Sequence, residues 1–146
     1  MNLTDEISVD AQSGVASAQL MVCEDADFLA DHFPGAPMLP GLLMMEMAVR
    51  AARRLWCQCE EDEFAAELHC IEQLRVIRRV VPHEILIVET RISETGGALI
   101  DRATMLFDAR ARVADEAAMR ARFRLKRVFA MRSALLEGAN TLSDNA

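Results

Sequence analysis

The chain has 146 residues, enough for one domain with its own core, and 52% of them are apolar, so neither metals nor disulfides are needed to hold it together. Sixteen basic residues against 23 acidic ones leave a formal charge of −7, which argues against a nonspecific grip on nucleic acid or on an anionic membrane surface. There is no uninterrupted apolar run of about 18 residues and no basic start followed by an apolar stretch, so a soluble, cytoplasmic protein with free thiols at Cys23, Cys57, Cys59 and Cys70 is expected.

Residues 5–10 and 15–23 read as two strands of a hairpin around Gln12-Ser13-Gly14. Residues 24–40 hold three of the four prolines, within HFPGAPMLPG, and must be a loop. Pro40 suits the first turn of a helix over 41–57 that is apolar on nearly every side, interrupted only by Glu46, Arg50, Arg53 and Arg54; such a helix is buried. Residues 64–80 follow period two, with the mainly apolar set on even numbers, among them Leu68, Leu74 and Val76. Two central strands follow at 84–94 and 97–109, turning at Gly96. The alanines of 111–129 favour a helix by propensity. However, Val113, Ala117, Met119, Ala121, Phe123, Leu125 and Phe129 fall on odd numbers and Arg120, Arg122, Arg124 and Lys126 on even ones, so the alternation predicts a strand with one basic face.

Two strands, one buried helix and four further strands make an α+β fold, an antiparallel sheet wrapped around one long helix. The expected domain is 1–130, with 131–146 as a C-terminal tail. A sheet of this kind leaves an edge that a second copy would cover, so a homodimer is expected.

His32 lies in the proline-rich loop and Glu46 follows in the helix, between Met44, Met45 and Met47. An imidazole and a carboxyl with apolar neighbours are a candidate acid/base pair. From spacing alone, the alternatives of a surface histidine and of a Glu46–Arg50 pair at i,i+4 stay open. Cys57, Cys59, His69 and Cys70 match no zinc spacing and read as core thiols beside a surface histidine.

The segment from His32 to Glu46, HFPGAPMLPGLLMME, closely resembles the H-F-P-G-x-P-x-x-P-G-x-L-x-x-E signature of the beta-hydroxyacyl-acyl-carrier-protein dehydratases. The likeness extends over roughly residues 5–128 and implies the hot-dog fold. It also implies dehydration of beta-hydroxyacyl thioesters, linked to acyl carrier protein or coenzyme A, in fatty acid or polyketide-type biosynthesis. By the same resemblance His32 takes the proton alpha to the thioester carbonyl, and Glu46 of the other subunit serves the departing hydroxyl. The Gly41 N–H holds the thioester oxygen and the Met38 carbonyl orients the imidazole, and Pro40 is counted with them as substrate-binding. No metal or organic cofactor is implied, and the assembly is a homodimer with a trimer of dimers left open.

The physics agrees with this assignment, because enolate charge on the thioester oxygen is best met by the free N–H groups at a helix start. In the dehydration direction Glu46 must carry a proton, which methionine neighbours would favour. Leu42, Leu43, Met45, Val49 and Trp56 suit an acyl tunnel or a plain core. Arg75, Arg78, Arg79, Arg120, Arg122, Arg124, Lys126 and Arg127 are candidates for docking an acidic carrier protein or form a solvated strand face.

The sequence departs from the family pattern at Asp31 (glycine), Arg50 (glutamine) and His83-Glu84 (Gly-Asp), and it has no tyrosine. The departures suggest a divergent branch, such as one serving polyketide or aryl polyene synthesis. Two alternatives follow: a hot-dog acyl thioesterase in which Glu46 activates water, or a catalytically silent acyl-thioester-binding partner subunit.

Overall fold

The computed structural model describes residues 6–22, 41–93 and 103–128. The proline-rich loop, the Gly96 turn and the tail over 131–146 lie outside them. Strands β1 (Glu6–Asp10) and β2 (Val15–Met21) form the expected hairpin. At its turn the Asp10 carboxylate accepts N–H bonds from Gln12 and Ser13, and Gly14 takes a φ of 67°. Helix α1 (Gly41–Glu60) follows, then β3 (Ala66–Val76), β4 (Ile85–Ile92), β5 (Thr104–Val113) and β6 (Glu116–Arg127). The six strands make one antiparallel sheet in the order β1-β2-β4-β5-β6-β3. This is the hot-dog arrangement.

Of the strand expected at 97–109 the first six residues lie outside the described ones; the described strand runs from Thr104 past the expected end to Val113, and a two-residue connection, Ala114-Asp115, joins it to β6. Alternation identified the β6 face correctly: Met119, Ala121, Phe123 and Leu125 are all buried. Ala118 is an extra residue opposite the Ala111/Arg112 step, and its carbonyl accepts N–H bonds from Ile77 and Arg78 at the end of β3. Among the described residues no helix is long and apolar enough to cross a membrane.

Helix α1 lies across the inner face of the sheet. Small residues permit the approach: Ala16 and Ala18 of β2 and Ala48, Ala51 and Ala52 of the helix are buried, and the buried Thr90 hydroxyl donates to the Ala48 carbonyl at 3.3 Å. At the far end Trp56 meets Phe64 edge-on at 5.0 Å and Phe107 at 6.3 Å, while Phe107 stacks on Phe123 at 5.7 Å. Arg127 sits over the Phe64 ring at 3.7 Å and reaches Asp62 at 3.6 Å, fastening the helix exit to β6.

The register of β3 corrects the simple even-number reading. Two bulges interrupt it, between Leu68 and Cys70 and between Ile71 and Gln73. They bring Leu68, Ile71, Leu74 and Val76 opposite Leu125, Phe123, Ala121 and Met119, and hence onto the inner face, whereas Cys70 and Glu72 leave it. All four of these β3 side chains are nevertheless exposed, although their β6 partners are buried. Strand β3 is an edge of the described sheet, and the helix does not cover it.

The helix ends in a Schellman motif: the Asp62 N–H donates to the Cys57 carbonyl at 3.1 Å and the Glu61 N–H to the Gln58 carbonyl at 3.3 Å. The residue in the left-handed conformation is Glu61, at φ 53°, where glycine is normally favoured. Glu61→Gly should therefore stabilise the fold by about 0.5–1 kcal/mol, read as a higher urea midpoint at constant m-value.

The helix start is also sterically set. A Cβ on Gly41 would fall 2.7 Å from Val76 Cγ2. Gly→Ala in a helix ordinarily gains about 0.5–1 kcal/mol. Here the stiff valine must first move, so Gly41→Ala should lose about 1 kcal/mol instead. In a Val76→Ala background the same change should become stabilising, and a double-mutant cycle in urea reads that coupling.

Candidate active site

The first turn of α1 has no intrahelical acceptors for its N–H groups, and Gly41 is its first residue. Glu46 follows five residues later, about 7.5 Å further along the axis at 1.5 Å per residue. The Glu46 side chain is 41% exposed, and its Oε1 accepts a bond from Arg50 Nε at 2.9 Å. The helix-start amide and the accessible carboxylate thus belong to one rigid element.

The expected methionine-lined setting of Glu46 does not hold. Met44, Met45 and Met47 are buried in the core, but neighbours in sequence point about 100° apart around a helix, so they do not surround the carboxyl. The side chain it does meet, Arg50, lies one turn away. The i,i+4 pairing that spacing left open is present, on the very residue proposed as the acid.

His32, Met38 and Pro40 lie outside the described residues, as does Asp31. The supposed tunnel residues separate. Met45, Val49 and Trp56 are core, Trp56 being held between aromatic rings, while Leu43 is half-buried and Leu42 is 71% exposed at the helix start. With Val76 and Ile77, Leu42 belongs to the set of exposed large apolar side chains. Alternation in β3 hid this set, because the bulges displace Ile71 from the apolar phase; that dislocation was the available signal.

Four of the eight basic residues considered for docking are occupied. Arg78 binds Glu84 and Glu116, Arg122 binds Asp108, Arg124 binds Glu72, and Arg127 approaches Glu60 and Asp62. The hydrogen bond from Arg78 holds the Glu84 carboxyl below the usual carboxylate range. Arg75 and Arg120 face each other across β3 and β6.

Among the described residues no group of three or more His, Cys, Asp or Glu side chains is arranged to hold a metal. The Cys57 thiol lies 3.5 Å from the Phe64 carbonyl and the Cys59 thiol 3.8 Å from that of Ala11. Burial, and then the Glu60 charge, push the Cys59 thiol up, away from the reactive thiolate. A cavity of about 1040 Å³ beside β1 is lined by Ile7, Val9, Arg53, Cys57 and Phe64. It adjoins the opposite end of the helix from Gly41 and Glu46.

Comparison with known proteins agrees with the architecture. A 3-hydroxyacyl-acyl-carrier-protein dehydratase, FabZ, of Francisella tularensis subsp. novicida (strain U112) is 32% identical over 97 residues, 58% of this chain and 58% of that protein. The chain thus spans just over half the length of the curated relatives it matches. A chain of the dehydratase heterocomplex ApeI:P from Xenorhabdus doucetiae superposes with a TM-score of 0.59 at 21% identity, covering 79% of this chain and 89% of that one. A hypothetical thioesterase from Streptococcus pneumoniae, solved with coenzyme A, superposes at 0.64 with 10% identity, covering 85% of each chain. These two likenesses carry the fold. Residues 7–119 match the family model described as ApeI dehydratase, and the chain therefore belongs to the ApeI-like dehydratase family.

Proposed function

We propose that this chain catalyses the reversible dehydration of beta-hydroxyacyl thioesters, carried by acyl carrier protein or coenzyme A, to trans-2-enoyl thioesters. The observation that carries the reading is the pairing, on one helix, of an N-terminal amide that has no acceptor within the helix with an accessible carboxylate in an otherwise mostly apolar run. Family membership supplies the reaction class, and the FabZ relatives bear a name for that reaction on carrier-bound substrates.

In this scheme His32 removes the alpha proton, and the electrons of that C–H bond pass towards the thioester oxygen, where the Gly41 N–H meets the charge. The Met38 carbonyl orients the imidazole and Pro40 starts the helix that aims the amide. As the C=C bond forms, the beta C–O bond breaks and Glu46 delivers the proton that lets the hydroxyl leave as water. Every step uses a protein group, so the scheme needs no metal or organic cofactor.

The partner is a second copy of the chain. Leu68, Ile71, Leu74 and Val76 form an apolar strip beside an unpaired strand edge, and full burial of such side chains contributes about 1.5–3 kcal/mol each. Pairing β3 with β3 of a partner covers the edge and brings a second loop towards Glu46. The ApeI:P dehydratase is a heterocomplex, which makes a different chain the other occupant to test.

A second reading has one observation in its favour. The Arg50 bond occupies only one Glu46 oxygen, and the other could hold a water for attack on the thioester carbonyl. Loss of enoyl absorbance on hydration of a crotonyl thioester, followed with free thiol release in parallel, separates the two. The proposal expects hydration, with kcat/KM lowered about 10²–10⁴-fold in His32→Ala and in Glu46→Gln. Mixing these two inactive variants should restore up to about a quarter of the wild-type rate if the site is shared between subunits. Thiol release without hydration overturns the proposal in favour of a thioesterase; neither activity, with carrier protein still bound, leaves the silent partner subunit.

The assembly has its own test. Ile71→Asp combined with Leu74→Asp should shift the sedimenting species from dimer to monomer and abolish hydration while the secondary structure by circular dichroism persists. A double variant that remains dimeric removes β3 from the interface.

A further inference from the structure

Glu46 and Arg50 are the only charged residues among positions 41–52, and each is the other's partner. The remaining helix arginines do other things: Arg53 donates to the Ala66 carbonyl at 2.7 Å, tying the helix to β3, and Arg54 is exposed. As a stabilising device the pair is a poor one. An i,i+4 ion pair 39% and 41% exposed contributes about 0.3–0.5 kcal/mol at most, and salt screens it. An alanine at position 50 would serve the helix at least as well by propensity.

The geometry of the contact is more informative than its strength. It is a single bond, from Nε to Oε1. A carboxylate on two flexible methylenes, free at the helix surface, samples several rotamers. Bonded through one oxygen to a side chain of its own helix, it presents the second oxygen over a narrower range of directions relative to the Gly41 amide, and narrower still where a partner excludes water from the pair.

We propose that Arg50 is a positioning residue, which acts through Glu46 by holding its Oε1 so that Oε2 is aimed at the reacting beta-hydroxyl. The inference rests on the dehydratase reading above. It also accounts for a charge at a helix surface that the proposed partner would cover. A carboxylate stripped of water there would cost several kcal/mol unless a cation accompanied it.

The test is steady-state hydration of a crotonyl thioester by the full chain with Arg50 as wild type, Ala, Gln and Lys. Misplacement of a reacting group by about 1 Å costs up to about 100-fold, so Arg50→Ala should lower kcat about 10- to 100-fold with KM changed less than about threefold. Lys, which can donate to the same oxygen, should recover most of the loss, and Gln part of it. Methylguanidine added to Arg50→Ala should raise kcat in a saturable way, which a general loss of folding would not allow. Unchanged kcat in a folded Arg50→Ala, or a loss confined to KM, overturns the positioning role and leaves the dehydratase reading intact. If Arg50→Ala fails to fold, equal kcat in wild type, Gln and Lys does the same. Absence of hydration in wild type, or a fully active Glu46→Gln, refutes the parent reading and this inference with it.

Discussion

The one helix among the described residues cannot cover the six strands they form. Strands lie about 4.8 Å apart, so this sheet is about 24 Å across between its outer strands, whereas a helix with its side chains is about 10–12 Å wide. Curvature brings β2 and β4 under α1, and the aromatic cluster extends the covered area to β5 and β6. Strand β3 meets the helix only at its two ends, Ala66 and Val76, and its inner-face side chains from Leu68 to Val76 stay exposed. Its inner face is nonetheless as apolar as that of β6, because two bulges keep Leu68, Ile71, Leu74 and Val76 on it. This residual face is the constraint from which the proposed assembly follows, and through it the composition of the site.

The elements were legible where one period dominated. Helix α1 and strand β6 are long, and in β6 alternation outweighed the helix propensity of its alanines, since burying a continuous row of Met119, Ala121, Phe123 and Leu125 outweighs tenths of a kcal/mol per residue. Strand β3 was legible as a strand but not in its facing, since a bulge shifts phase by one residue and leaves no compositional mark beyond the misplaced Ile71. The end of α1 was misread by three residues because its left-handed stop is Glu61, and nothing in Gln-Cys-Glu-Glu announces a stop as glycine would.

The surroundings of the candidate site were not legible. A fifteen-residue pattern of prolines and glycines can point to Glu46, but linear proximity to three methionines is a poor guide to what a helical side chain touches. Met44, Met45 and Met47 point to the core, and Arg50, four residues away, supplies the contact. The same holds for Gly41. Its sequence context explains why an amide is free there, while the reason a side chain is unwelcome is Val76, thirty-five residues on and on another strand.

The Gly41–Val76 contact joins the two halves of the structure. Val76 ends the uncovered β3 strip and at the same time limits how far the helix start can move, so the amide proposed to meet the thioester oxygen is braced by a residue of the proposed interface. In a lone protomer Val76 is half-exposed, and one of its neighbours in that setting is solvent. Packing a second copy against it would restrict its rotamers and, through the 2.7 Å approach to the Gly41 Cβ position, restrict the helix start as well. On this argument dimerisation does more than bring a second loop to Glu46. In the proposed scheme it would also stiffen the Gly41 donor before charge develops, because preorganised donors need no reorganisation during the reaction.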